Sequence, residues 1–206
     1  MKKIFLVCCT FLLAGCFGTP ARQADIAFYD LGSLVGTWAA PGFPIAAVEV
    51  QASSWLGTPA QLYRLAYADN LRRRAYANSR WAAPPAELLE RFLQRRIVFG
   101  QPDFTGRGCR LQLKLDEIEQ RFATPQSSKI VLEVRASLLP RHGETLLAKR
   151  AFLIEKDALT PDVQGGVAAT REAVQALADE LAQWLGAVAH DRPQAVAVCK
   201  TTGEEK

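Results

Sequence analysis

The chain offers little from which a catalytic centre could be built. Its 206 residues include two histidines, His142 and His190, and neither has a Ser, Cys or Asp at a motif spacing. It carries no nucleophile elbow, no phosphate-binding loop and no carboxylates paired for acid/base work, so the common hydrolase and nucleotide-dependent classes have no signature here. Cysteine is sparse, five in all, and three of the five fall within the first sixteen residues. Two histidines and two remaining cysteines at scattered positions do not make a metal-ligand spacing, and no cofactor is expected. Charge of either sign is not in large excess: the formal +4 drops to about +2 without Lys2 and Lys3, which does not suggest nucleic acid. Beyond the N-terminus, no apolar run approaches the roughly 20 residues that a membrane helix needs.

What is present begins at the N-terminus. A basic start, Met1-Lys2-Lys3, leads into an apolar stretch from Ile4 to Leu13 and then Leu13-Ala14-Gly15-Cys16. Basic, apolar and small-residue regions in that order make a secretory signal, here residues 1–15. Leu-Ala-Gly-Cys resembles the bacterial lipobox, which implies that Cys16 is acylated, becomes the new N-terminus and anchors the chain stably through several acyl chains. Phe17 stands where an inner-membrane retention signal would place Asp. The expected location is therefore the periplasmic face of the outer membrane. Cys109 and Cys199 remain as a pair in an oxidising compartment, where a disulfide is the natural reading and two separate free thiols the alternative.

Residues 16–206 suffice for one domain with a proper core. Residues 16–26 read as a lipidated tether, 27–192 as the domain and 193–206 as a loose tail. Strands are expected at Ala27–Leu31 and Ile45–Val50, separated by a Gly- and Pro-containing loop over 32–44. Thr58-Pro59 carries a helix-start signal, which predicts a helix through Leu62, Tyr63 and Leu65. A short strand over Leu71–Ala77 follows. Pro84-Pro85 opens a second helix with Leu88, Leu89, Phe92, Leu93 and Ile97 on one side, ended by Gly100-Gln101-Pro102, and 101–109 read as a loop.

The middle alternates as sheet. Leu111, Leu113 and Leu115 form one set, Ile130, Leu132, Val134, Ala136 and Leu138 another, and Leu146–Glu155 follows a Pro140–Gly143 turn. These three strands are expected as an antiparallel meander. Val167, Thr170, Val174, Leu177, Leu181, Trp184 or Leu185, and Val188 predict a last helix of about 20 residues, its start weakened by Gly165-Gly166. The order βαβα, meander, α implies a single α/β domain: a mixed sheet with a C-terminal antiparallel meander and helices packed upon it.

Two segments, Ala52–Arg64 (with Trp55, Tyr63 and Arg64) and Asn78–Leu89 (with Arg80, Trp81 and Pro84-Pro85), resemble the ABC-type transport auxiliary lipoprotein family, as does the early Phe28-Tyr29-Asp30-Leu31-Gly32. Gly57 departs from that pattern, and the Cys109/Cys199 pair does not belong to it. The resemblance implies a partner rather than a reaction. It points to a non-enzymatic accessory of an MCE-domain and ABC-transporter system that moves lipids between membranes, docking the assembly at the outer membrane, with a homo-oligomeric ring as one possible form. The alternative is a periplasmic lipoprotein that itself holds a lipid or other hydrophobic ligand.

Trp55, Tyr63, Arg64, Arg80 and Trp81 have two readings. As packing residues, Trp81 staples the start of the helix after it and Arg64 caps or pairs with a buried carboxylate. As a partner-binding surface, they are residue types favoured at interface hot spots. The basic runs Arg72-Arg73-Arg74 and Arg95-Arg96 read as solvated faces or as contacts for anionic headgroups or an acidic partner. Asp116, Glu117 and Glu119 read as exposed charges at a strand end.

Overall fold

The computed structural model describes residues 25–33, 43–98 and 108–201. The signal segment, Cys16, most of the tether, most of the 32–44 and 101–109 loops and the last five residues lie outside the described residues. Seven strands form one mixed sheet: β1 (Ala27–Tyr29), β2 (Ile45–Ala52), β3 (Ala60–Leu65), β4 (Arg73–Trp81), β5 (Cys109–Thr124), β6 (Ser127–Leu139) and β7 (Ala148–Asp157). Three α-helices accompany them: α1 (Pro85–Leu93), α2 (Val163–Asp191) and α3 (Pro193–Thr201). The spatial order is β1-β4-β3-β5-β6-β7, with β2 also paired to β5.

Strand β5, 16 residues long, organises the sheet. One edge is filled along its length by β6, antiparallel from Arg110 opposite Leu139 to Thr124 opposite Ser127. The other edge is shared. Strand β2 runs parallel beside Cys109–Leu115, and β3 runs parallel beside Gln120–Phe122. The sharing explains why the expected helix at Thr58–Leu65 is a strand. Where β2 ends, the rest of β5 would present unpaired N–H and C=O groups, and Ala60–Leu65 supplies their partners. That non-local demand outweighs a Thr-Pro start signal, and Tyr63 suits a strand. The following strand begins at Arg73 rather than Leu71, after a turn in which Asp69 Oδ1 accepts the Leu71 N–H at 3.0 Å. The meander β5-β6-β7 is antiparallel as expected.

The core lies between the sheet and α2. Leu111, Leu113, Leu115, Leu132, Val134, Leu138, Phe152 and Ile154 pack with Ala173, Leu177, Leu181, Trp184 and Leu185 in one cluster. Helix α1 starts with Pro85 in its first turn, where a missing N–H costs nothing. It buries Leu89, Phe92 and Leu93 while Leu88 is only half-buried. Along β2 it closes a sheet edge: the Val50 N–H donates to Glu90 Oε2 at 2.8 Å, and Gln94 Nε2 donates to the Val48 carbonyl at 3.2 Å.

Helix α2 is 29 residues long, and Gly165 and Gly166 lie inside it, both buried. Asp162 caps it, Oδ1 accepting the Gly165 N–H at 2.8 Å. The glycines permit close approach: a Cβ on Gly165 would sit 2.1 Å from the Thr160 carbonyl oxygen, and one on Gly166 2.2 Å from Gln120 Oε1. The expected tail is likewise ordered to Thr201, since residues 193–201 form α3. There Cys199, fully buried, is joined to Cys109 with the Cα atoms 4.8 Å apart.

Candidate interaction site

A bulge in β5 creates the polar centre. Leu115 pairs with Val134 and Glu117 with Glu133, so Asp116 is an extra residue on β5. The insertion reverses the side-chain alternation. Before it, Leu111, Leu113 and Leu115 face the core. After it Ile118, Gln120 and Phe122 take that side, and Glu117, Glu119 and Arg121 turn to the face away from α2.

The three acidic residues are not the exposed charges expected from the sequence. Glu119 is 1% exposed and Glu117 8% exposed. Arg64 of β3 grips Glu119, its Nε donating to Oε1 at 2.9 Å and Oε2 at 3.1 Å. Arg121 donates to the same Oε1 at 2.8 Å, and Arg73 of β4 pairs with Glu117. Asp116 meets Arg135 in a two-point bond of 2.6 and 2.8 Å. Burial raises the Glu117 carboxyl above its usual range, helped by the charge of Glu119 and opposed by Arg73 and Arg64. The hydrogen bond to Glu119 holds the Arg64 guanidinium above its ordinary value, and that to Arg135 lowers Asp116.

The five motif residues divide by what they touch. Arg64 pairs with a buried carboxylate, the first of its two readings, and also donates to the Asn70 carbonyl at 2.7 Å. Tyr63 stacks at 4.6 Å on Tyr76 and meets the edge of Phe122 at 6.0 Å. Arg80 serves its own strand. Ala60 pairs with Arg80 but Leu62 with Ala75, so Tyr76–Ser79 form a bulge opposite Gln61. The Arg80 guanidinium bonds the carbonyls of Tyr76, Ala77 and Ser79. Trp81 is 6% exposed, and its N–H donates to the Pro59 carbonyl at 2.8 Å. Trp55 is the outward member: it is 55% exposed, with the Arg73 guanidinium 5.5 Å from its ring centre.

The basic runs are not uniform solvated faces. Arg72 is exposed, but Arg73 is held by Glu117, and Arg96, 7% exposed, donates to Asp179 Oδ1 at 3.0 Å and so ties the segment after α1 to α2. A buried polar chain missed in the sequence runs across the sheet. The Tyr76 hydroxyl donates to Gln120 Oε1 at 2.9 Å, and Gln120 Nε2 donates to Ser128 Oγ at 2.8 Å and to the Asp162 carbonyl at 3.1 Å. Burial raises the Tyr76 phenol well above its ordinary value. The Glu-x-Glu spacing on a strand and the arginines of neighbouring strands were the only signals of this centre, and neither shows which strands meet.

A cavity between sheet and helix, lined among others by Gln61, Ile118, Ile130, Gly166 and Thr170, is about 20 Å³, enough for a water-sized group, and an open cleft of about 440 Å³ lies beside Tyr29, Ala77 and Val163. Among the described residues no group of three His, Cys, Asp or Glu could hold a metal, and no helix is long and apolar enough to cross a membrane.

Two solved structures share this fold. A crystal structure of a protein from Xanthomonas campestris is similar with a TM-score of 0.64 and 16% identity, covering 84% of this chain and 98% of its own. A crystal structure described as an uncharacterized protein is similar with a TM-score of 0.56 and 15% identity, covering 78% of this chain and 99% of its own. No curated protein matches the chain. The family described as ABC-type transport auxiliary lipoprotein component matches residues 40–182, well over half of the sequence. The chain belongs to that family.

Proposed function

We propose that the protein is a non-enzymatic accessory of an MCE/ABC-type intermembrane lipid transport system, held at the periplasmic face of the outer membrane by acyl chains on Cys16. The carrying observation is the family match over residues 40–182, which makes the chain an auxiliary component of ABC-type transport. The lipobox Leu13–Cys16 supports the anchor, and Phe17 supports the outer membrane. Trp55 beside Arg73 is the motif residue free to meet a partner, and a large exposed aromatic is a residue type favoured at hot spots. Self-assembly into a ring is compatible with this role. A lipid-holding role within the domain cannot use the cavity of about 20 Å³ under α2, which does not admit an acyl chain, and would need an open cleft such as the one of about 440 Å³ lined by Tyr29, Ala77 and Val163.

Crosslinking in intact cells followed by purification through this chain tests the reading. An MCE-domain protein or an ABC permease is expected in the product, in reduced yield from Trp55→Ala. Recovery of neither component from efficiently crosslinked cells would overturn the role.

A further inference from the structure

The two most exposed leucines among the described residues are Leu71, 90% exposed, and Leu159, 92% exposed. They lie far apart in sequence and at the same end of the sheet. Leu71 is in the β3–β4 connection, which leaves the sheet where the Ala66 N–H bonds the Phe122 carbonyl at 2.9 Å. Leu159 is in the β7–α2 connection, which leaves it where the Ala158 N–H bonds the Ser128 carbonyl at 2.9 Å. Phe122 and Ser128 are themselves paired across β5 and β6. The two connections therefore flank the β5–β6 turn, whose residues Thr124–Ser127 carry no charge. Tyr67, 47% exposed, and exposed Arg72 stand on the first connection. Of the carboxylates at this end, Asp69 bonds the Leu71 N–H and Asp162 the Gly165 N–H, while exposed Asp157 stands opposite Lys129 in the sheet.

Strand β1 runs away from this same end. Strand β1 is parallel to β4, with Ala27 beside Ser79 and Tyr29 beside Trp81, and β4 begins at Arg73 next to the Leu71 connection. The backbone before Ala27 therefore comes from the Arg73 side, and Arg73 lies at most about 20 Å from Ser79 at strand rise. From Cys16 to Ala27 the chain can span at most about 36 Å. Eleven residues of that reach before a strand so directed let this end of the sheet meet a bilayer that holds acyl chains on Cys16.

We propose that the Ala66–Arg72 and Ala158–Asp162 loops rest on the anchoring bilayer, with Leu71 and Leu159 below the headgroups and Tyr67 and Arg72 among them. The proposal rests on the anchor at Cys16. Apolar tips flanked by an amphipathic ring and a guanidinium match the layered polarity of a lipid surface. Docked so, the protein turns its opposite end, with the β6–β7 connection and the Cys109–Cys199 bridge, away from the membrane and toward soluble partners.

The test uses the mature acylated protein in vesicles of phosphatidylethanolamine and phosphatidylglycerol whose acyl chains carry bromine. Leu71→Trp, Leu159→Trp and, at the opposite end, Leu146→Trp each add one reporter at an exposed site to the four native tryptophans, and the quenching of each is read as its increment over wild type. Quenching by brominated chains about twofold greater for the first two than for Leu146→Trp is expected, since interfacial burial of about 5–10 Å brings a side chain within reach. Protein that floats with the vesicles but shows equal quenching at all three sites overturns the docking end and leaves the anchor intact. Protein that fails to float overturns both. Loops that are unquenched on vesicles but shielded from iodide in the crosslinked transport complex belong to a protein interface, and the membrane contact is wrong.

Discussion

Glu119 shows how one residue organises its surroundings. Its side chain is fully out of water, and Arg64 and Arg121 both bond it there. Removing a partner from a buried pair exposes the desolvation penalty of the charge left behind. Arg64→Ala is therefore expected to cost about 3 kcal/mol in urea unfolding, the low end for a buried pair because Arg121 remains. Arg64→Ala combined with Glu119→Gln should cost less than the single change; additive losses would show that the pair is not coupled. Glu117 makes a pH prediction of opposite kind. Its folded carboxyl titrates above the unfolded value near 4.5, so the folded state binds the proton more readily. Its contribution is fully present below that unfolded value and is lost as pH rises through the folded one. As pH rises above the unfolded value near 4.5, wild type should lose stability relative to Glu117→Gln, as read from denaturation midpoints; an unchanged gap would place the carboxyl in an ordinary environment.

At the scale of elements, α2 is the principal cover of the sheet. Leu177 lies at its middle with no exposure, so Leu177→Ala is expected to cost about 2–5 kcal/mol in chemical unfolding. A loss below about 0.5 kcal/mol is the behaviour of a surface site and would contradict this packing. Helix α3 is short and packs on α2, and the Cys109–Cys199 bridge ties it to the first residue of β5. A closure over 90 residues restricts the unfolded chain, and Cys199→Ser should cost about 4 kcal/mol in the chain-entropy view. Mass mapping without reductant checks the linkage directly. Free alkylation of both thiols in periplasm-derived protein would mean that α3 is held by packing alone.

For the whole molecule, one substitution separates address from fold. Cys16→Ala is expected to abolish acylation and leave the protein uncleaved or mislocalised on membrane fractionation, while the domain keeps its unfolding midpoint. Normal outer-membrane fractionation of that variant would refute the lipobox. The two ends of the sheet also have different characters. One collects Leu71, Tyr67 and Leu159, and the other holds the disulfide and the β6–β7 connection.

Much of this architecture was legible in the sequence, because local periodicity reports which side of an element is apolar. Leu111-Leu113-Leu115 and Ile130 through Leu138 announced their strands, Val174 through Leu185 announced α2, and Pro84-Pro85 marked the start of α1. The Trp, Tyr and Arg motifs are equally local signals. Tertiary structure alone decided the rest, because those features depend on what another segment leaves unpaired or unfilled. Ala60–Leu65 is a strand because β2 stops short of the end of β5. Glu117 and Glu119 are buried because one inserted residue, Asp116, turns them toward the arginines of β3 and β4. Gly165 and Gly166 stand inside a helix because Thr160 and Gln120 occupy the space where a Cβ would be. Leu71 and Leu159 share one end of the molecule only because β3, β5, β6 and β7 pair in that order.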